Sequence, residues 1–238
     1  MKGWRARSGR GKARRGGVAL GTTMAAVLVV GCGGEEQDDQ PVRLSAAEVC
    51  GDGLLNAAAV RAVELLTGAS EFDPPRKNAV ESVAAMAEHL AGGYAAIGAS
   101  LGGSVCEAVP FDTVNRRRLS VSFAIQHESQ RTGEGSEQGK GAYWEYDLGR
   151  NALVLSDRAR LFFDCAGTRL AGPGTAVPVE VSVSLSSGSR GDEPALREAN
   201  LAIAHSAALV MSRELGCQGN GGLPDALVVR EKAAKTRP

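Results

Sequence analysis

The chain predicts an α+β fold: helices first, then an antiparallel sheet of four or five strands, then one long helix packed on a sheet face. Three observations predict it. Apolar residues recur at helical spacing from about residue 56 to 97. From Arg116 onward the period drops to two. A last helical stripe runs from Pro194 to Leu215.

Each element has its own signals. Ser45-Ala46-Ala47-Glu48 has capping-box spacing, cut short by Gly51 and Gly53. Asn56 is placed to cap a helix carrying Val60, Val63 and Leu66, which Gly68 ends. Asp73-Pro74-Pro75 breaks the chain. A further helix is expected from near Asn78 with Val80, Val83, Ala87 and Leu90 on one face, weakened at Gly92-Gly93, with a short helical segment through Ile97. Leu119, Val121, Phe123 and Ile125 alternate with Ser120, Ser122, Ala124 and Gln126, as a half-buried strand requires. Residues 128–141 are polar and Gly-rich and predict a long loop. Trp144, Tyr146 and Leu148 resume the alternation, and short strands follow near Ala152–Leu155 and Leu161–Cys165. Val177, Val179, Val181, Val183 and Leu185 alternate most cleanly, and Pro178, lacking an N–H, suggests a sheet edge or a strand start. The last helix has Asp192 as its expected cap and Pro194 in its first turn. Leu201, Ala204, Ala208, Met211 and Leu215 form its stripe, and Gly216 is its stop. Residues 218–238 are expected to fray, with Leu223–Val229 packing back.

The N-terminus follows a different logic. Residues 1–17 hold seven Lys or Arg and no acid, and 18–30 form an apolar run. That run is shorter than the roughly 20 residues a bilayer span needs, and it has the length of a signal-peptide core. It closes on Val29-Val30-Gly31-Cys32, the pattern of a bacterial lipobox, which predicts cleavage before Cys32 and a diacylglyceryl group, with palmitate-class chains, on its sulfur. In the competing reading an ordinary peptidase makes the cut and Cys32 is a spare thiol. Arg14-Arg15 raises twin-arginine export, but Gly16-Gly17 replaces the bulky apolar residue expected next, which favours the general secretory route.

The predicted organisation is a signal peptide over 1–31, an acidic tether over 32–44, one disulfide-stabilised domain over 45–217 and a tail over 218–238. About 190 residues follow the tether, enough for one domain with a core. Seven of the 27 basic residues lie in the removed segment, so the mature chain carries 20 against 27 acids, a formal charge of −7. Such a chain is a poor candidate for nucleic acid or anionic lipid headgroups. Besides Cys32, the mature chain has Cys50, Cys106, Cys165 and Cys217, an even count that predicts two disulfides in an exported protein. Three pairings exist, and the pairing within each half, Cys50–Cys106 and Cys165–Cys217, is favoured. The four are far apart, without C-x-x-C or a nearby His, so no metal or other cofactor is predicted.

Other constellations are weaker. Gly98-Ala99-Ser100-Leu101-Gly102 matches the G-x-S-x-G elbow of serine hydrolases, but that elbow needs a strand before the Ser and a helix after it. Here a helical stretch precedes it. His89 and His205 fit a helix surface or boundary better than a ligand role, and His127 shares no spacing with either. Arg116-Arg117-Arg118 fits a charged strand start. Glu134 and Glu137 lack calcium-loop spacing.

The lipobox, Val49-Cys50 before a helix ending Leu66-Thr67-Gly68, Leu161-Phe162-Phe163-Asp164-Cys165 and Arg213-Glu214-Leu215-Gly216-Cys217 together resemble actinobacterial (Streptomyces-like) cell-envelope lipoproteins to which no reaction is assigned. A more distant likeness is to PsbP-like α/β sandwiches. The resemblance implies a non-enzymatic binding or accessory ectodomain. It would sit on the outer face of the cell membrane through a Cys32 anchor, with an envelope protein or cell-wall component as partner. A membrane-tethered hydrolase using Ser100 is the alternative.

Overall fold

The computed structural model describes residues 41–51, 53–77, 79–111, 117–125, 143–172, 174–186 and 193–232. Helix α1 (Ala46–Cys50) starts in a reciprocal capping box, in which Ser45 accepts from the Glu48 N–H and Glu48 accepts from the Ser45 N–H. Asn56 Oδ1 caps α2 (Ala57–Thr67) by accepting from Ala58 and Ala59, and Gly68 ends it in the left-handed conformation. The third helix, α3 (Val83–Ile97), begins five residues after Asn78, with Ser82 as its cap; after Pro74-Pro75 the chain first makes a turn, in which the Ala79 N–H donates to the Arg76 carbonyl at 2.9 Å. Gly92-Gly93 does not end it. The helix runs on to Gly98, again left-handed, and Gly93 instead gives Ser100 room, since a Cβ there would lie 2.8 Å from the serine side chain.

Among the described residues six strands follow: β1 (Ser100–Ala108), β2 (Leu119–Ile125), β3 (Trp144–Tyr146), β4 (Asn151–Val154), β5 (Arg158–Cys165) and β6 (Val177–Leu185). They form one antiparallel sheet in the order β1-β2-β6-β5-β4-β3. The sheet therefore exceeds the expected four or five strands by β1, whose Gly-rich sequence conceals the alternation. Between the pairs Ser100↔Ile125 and Gly103↔Phe123, two residues of β1 oppose Ala124 alone, which is a β-bulge. Gly102 has φ +59° there, and a Cβ on it would lie 1.7 Å from the Phe123 carbonyl oxygen. Pro178 is a strand-start proline and not an edge one. Its strand is central, but it stands second in β6, opposite Asp164 of β5, before pairing with β2 begins at Val179.

The last helix, α4 (Pro194–Glu214), packs on β5, β6 and β4 with one side and on α2 with another. Its residues Leu201, Ile203, Ala204, Ala207, Ala208 and Met211 are all fully buried. An all-round buried helix is expected between two layers. Asp192 lies outside the described residues; Glu193 occupies the cap position and makes no side-chain cap bond. The C-terminus closes in a Schellman motif. Cys217 N–H donates to the Ser212 carbonyl and Gly216 N–H to that of Arg213, with Gly216 at φ +67°.

Residues 218–232 do not fray. A 3₁₀ turn (Gln218–Gly222) leads to buried Leu223. Asp147 N–H then donates to the Arg230 carbonyl and Lys232 N–H to that of Glu145, so the tail covers the outer edge of β3. The opposite edge, β1, is covered at its far end, where Phe72 pairs with both Leu44 and Pro110. An edge blunted this way resists pairing with other chains.

Candidate functional site

The disulfides are Cys50–Cys106, joining α1 to β1, and Cys165–Cys217, joining the end of β5 to the third residue past α4 (Cα–Cα 4.6 and 4.8 Å). Each closes a loop within its own half of the domain, at sequence separations of 56 and 52. In the chain-entropy account each loop lowers the freedom of the unfolded chain by about 4 kcal/mol. Such bridges belong to a protein matured in an oxidising, extracytoplasmic compartment. Cys32, with the whole lipobox, lies outside the described residues.

The structure takes apart the nucleophile-elbow pattern. Gly98 caps α3 and Ser100 opens β1, so the order is helix–turn–strand, the reverse of an elbow. Ser100 is buried, and its Oγ accepts from the Gly102 N–H at 3.3 Å, holding the bulge. His127 lies outside the described residues. His205 falls in mid-α4 and is buried there, not at the helix surface, and its Nε2 meets the Pro224 carbonyl oxygen at 2.7 Å. A carbonyl only accepts, so Nε2 carries the proton. Burial holds its pKa below the ordinary imidazole range, with the Pro224 bond opposing in part.

The remaining candidates among the described residues are surface charges. His89 sits 3.4 Å from Glu81, both about half exposed. Arg118 pairs with Glu107 at 3.0 Å across the β1–β2 pair. Arg116, Glu134 and Glu137 lie outside the described residues. Among the described residues no cluster of His, Cys, Asp or Glu could hold a metal ion, and no helix is long and apolar enough to cross a membrane.

The sheet face away from the helices carries the densest polar constellation. Register brings Ser104, Ser122, Ser182, Arg160, Leu153 and Glu145 into one row across all six strands. Ser120 and Ser184 hydroxyls meet at 2.9 Å in the next row. At the centre Arg160 grips Glu180 with two bonds, Nε to Oε1 at 2.6 Å and Nη2 to Oε2 at 3.0 Å, and Ser182 donates to Oε1 at 3.0 Å. Glu180 is only 6% exposed. Its bond to Arg160 raises the arginine pKa, against the opposing effect of burial. Arg158 is raised chiefly by its bond to Asp157. This face presents hydroxyls held in fixed positions around an arginine fork that Glu180 already engages. Sequence reading missed the Arg160–Glu180 pair because its members stand 20 residues apart. The available signal is that both occupy the polar phase of strands whose other phase is Val, Leu or Phe.

No family model matches the chain, nor does any curated protein or solved structure.

Proposed function

We propose that the chain is an exported lipoprotein, anchored through a diacylglyceryl group on Cys32 to the outer face of the cell membrane, with a non-enzymatic binding or accessory ectodomain. The observation that carries this reading is the order of the first 44 residues: seven cations, an apolar run of signal-core length, Val29-Val30-Gly31-Cys32, then an acidic spacer. The two disulfides agree with the compartment such a segment leads to. The partner is an envelope protein or cell-wall component, and not nucleic acid, given a mature charge of −7. The sheet face built around Arg160–Glu180, with its hydroxyl rows, is the surface this reading assigns to polar recognition.

The test is expression with labelled palmitate, with and without globomycin, beside a Cys32→Ser variant. The wild type should incorporate label, accumulate as precursor under globomycin, and fractionate with membranes. Cys32→Ser should lose the label. Label retained by Cys32→Ser, or processing indifferent to globomycin, refutes the anchor. A serine-reactive fluorophosphonate probe checks the second half, since labelling that disappears in Ser100→Ala would refute the non-enzymatic reading.

A further inference from the structure

The turn between α3 and β1 exposes apolar side chains that the fold does not use. Leu101 is 99% and Ile97 75% exposed, the two highest values among the exposed large hydrophobics, and they stand four residues apart on one protruding turn. The bulge at Leu101–Gly102 takes Leu101 out of the inward phase of the strand. From Leu90 to Cys106 there is no Asp, Glu, Lys, Arg or His, in a chain that is 23% charged. Polar backbone at the tip is bonded locally: Gly98 N–H donates to the Tyr94 carbonyl at 2.7 Å and Gly102 N–H to Ser100 Oγ at 3.3 Å. Removing this turn from water therefore strips no charge and leaves those donors satisfied.

We infer that this tip is a second, non-covalent membrane contact, with Ile97 and Leu101 entering the boundary between headgroups and acyl chains. The inference rests on the proposed Cys32 anchor, which would hold the tip over the same bilayer. Three observations favour lipid over a protein groove. First, the reach suffices. The twelve steps from Cys32 to Leu44 extend to about 40 Å. Leu44 joins the Pro110 end of β1 through Phe72. The nine residues from Leu101 to Pro110 cover about 30 Å. Second, a mature charge of −7 is repelled by anionic headgroups, and the uncharged run is where approach is least opposed. Third, tethering supplies a local concentration on the order of millimolar, so a contact too weak to bind alone still fills. Each side chain that leaves water adds on the order of tenfold to the occupancy of the inserted state.

The experiment uses the processed chain beginning at Cys32, carrying Leu101→Trp. Cys32 is the one cysteine outside the two disulfides, so it couples to a maleimide lipid in phosphatidylcholine vesicles. Trp144, stacked on the Arg197 guanidinium 4.2 Å from its ring centre, is the internal reference. The added tryptophan should shift to the blue and lose emission to brominated acyl chains, while Trp144 does not. Adding Ile97→Asp should abolish the quenching. A vesicle-bound chain whose residue 101 stays water-exposed overturns the inference. So does shielding seen only on native envelopes and never on lipid, which would assign the tip to a protein. Because the chemical tether replaces cellular acylation, failure of the Cys32 anchor in cells and failure of insertion are read separately.

Discussion

Two serines of α4 are buried to nearly the same degree, yet their hydroxyls do different work. Ser206 Oγ donates to the Leu54 carbonyl at 2.9 Å and accepts from the Asn56 N–H at 2.8 Å. It fixes the turn that launches α2, and Asn56 is the residue that caps that helix. Ser206→Ala removes two bonds and leaves a donor and an acceptor of the turn without their partner. At about 1 kcal/mol for each net bond, with a further desolvation cost for each stranded group, the loss should be about 2–4 kcal/mol. Ser212 Oγ donates only to the Leu209 carbonyl, within the same helix. Ser212→Ala therefore strands nothing and should cost under about 1 kcal/mol. Urea unfolding of the oxidised chain, read by far-ultraviolet circular dichroism at constant slope, measures both. Equal midpoint shifts for the two variants would refute the assignment of Ser206 as the clamp between α4 and the α2 turn.

Replacing Cys165 and Cys217 together by Ala should lower stability by about 4 kcal/mol, and Cys50 with Cys106 by a similar amount, read from denaturant midpoints. His205 is neutral in the fold, with a pKa held below its unfolded value, so the unfolded chain takes up the proton first. Stability should be full above the ordinary imidazole pKa of about 6.5 and fall as the pH drops below it. His205→Gln should flatten that slope in unfolding curves at pH 7.5 and 5.5. Ending the chain after Gly222 removes Leu223 and the strand-like cover of β3. The product should be less stable and self-associate through that edge, as sedimentation velocity would show; a stable monomer would refute the capping role.

What was legible in the sequence was what is one-sided. β2 and β6 alternate because one face meets helices and the other does not, and both strands were read at their observed extent. The capping residues Ser45 and Asn56 and the stop at Gly68 act locally, so they too were readable. β1 was not, because two register shifts and two adjacent glycines erase its alternation, and only contact with β2 makes it a strand. For α4 the apolar stripe was visible, but its two-sided burial was not. Asn200 and His205 look solvent-facing until Leu155, Ser156 and Pro224 supply carbonyls for them. In the tail the packing back of Leu223 was legible, but its pairing along β3 was not, because that partner is far away in the chain. Of the candidate surfaces, the Arg160–Glu180 pair depends on strand register and the Leu101 tip on a bulge, both properties of the assembled sheet.

The place of α4 sets the order in which the domain can mature. Leu161, Phe163, Val179 and Val181 lie buried on the strands it covers, and it is also the support on which α2 rests. A chain emerging from its amino end holds that apolar face open to water until α4 arrives, after every strand of the sheet. Cys217, three residues past the end of that helix, closes its bridge only once docking brings it beside Cys165. Any product halted before this point should remain soft, adhesive and open to proteases, however much of the sheet it already contains.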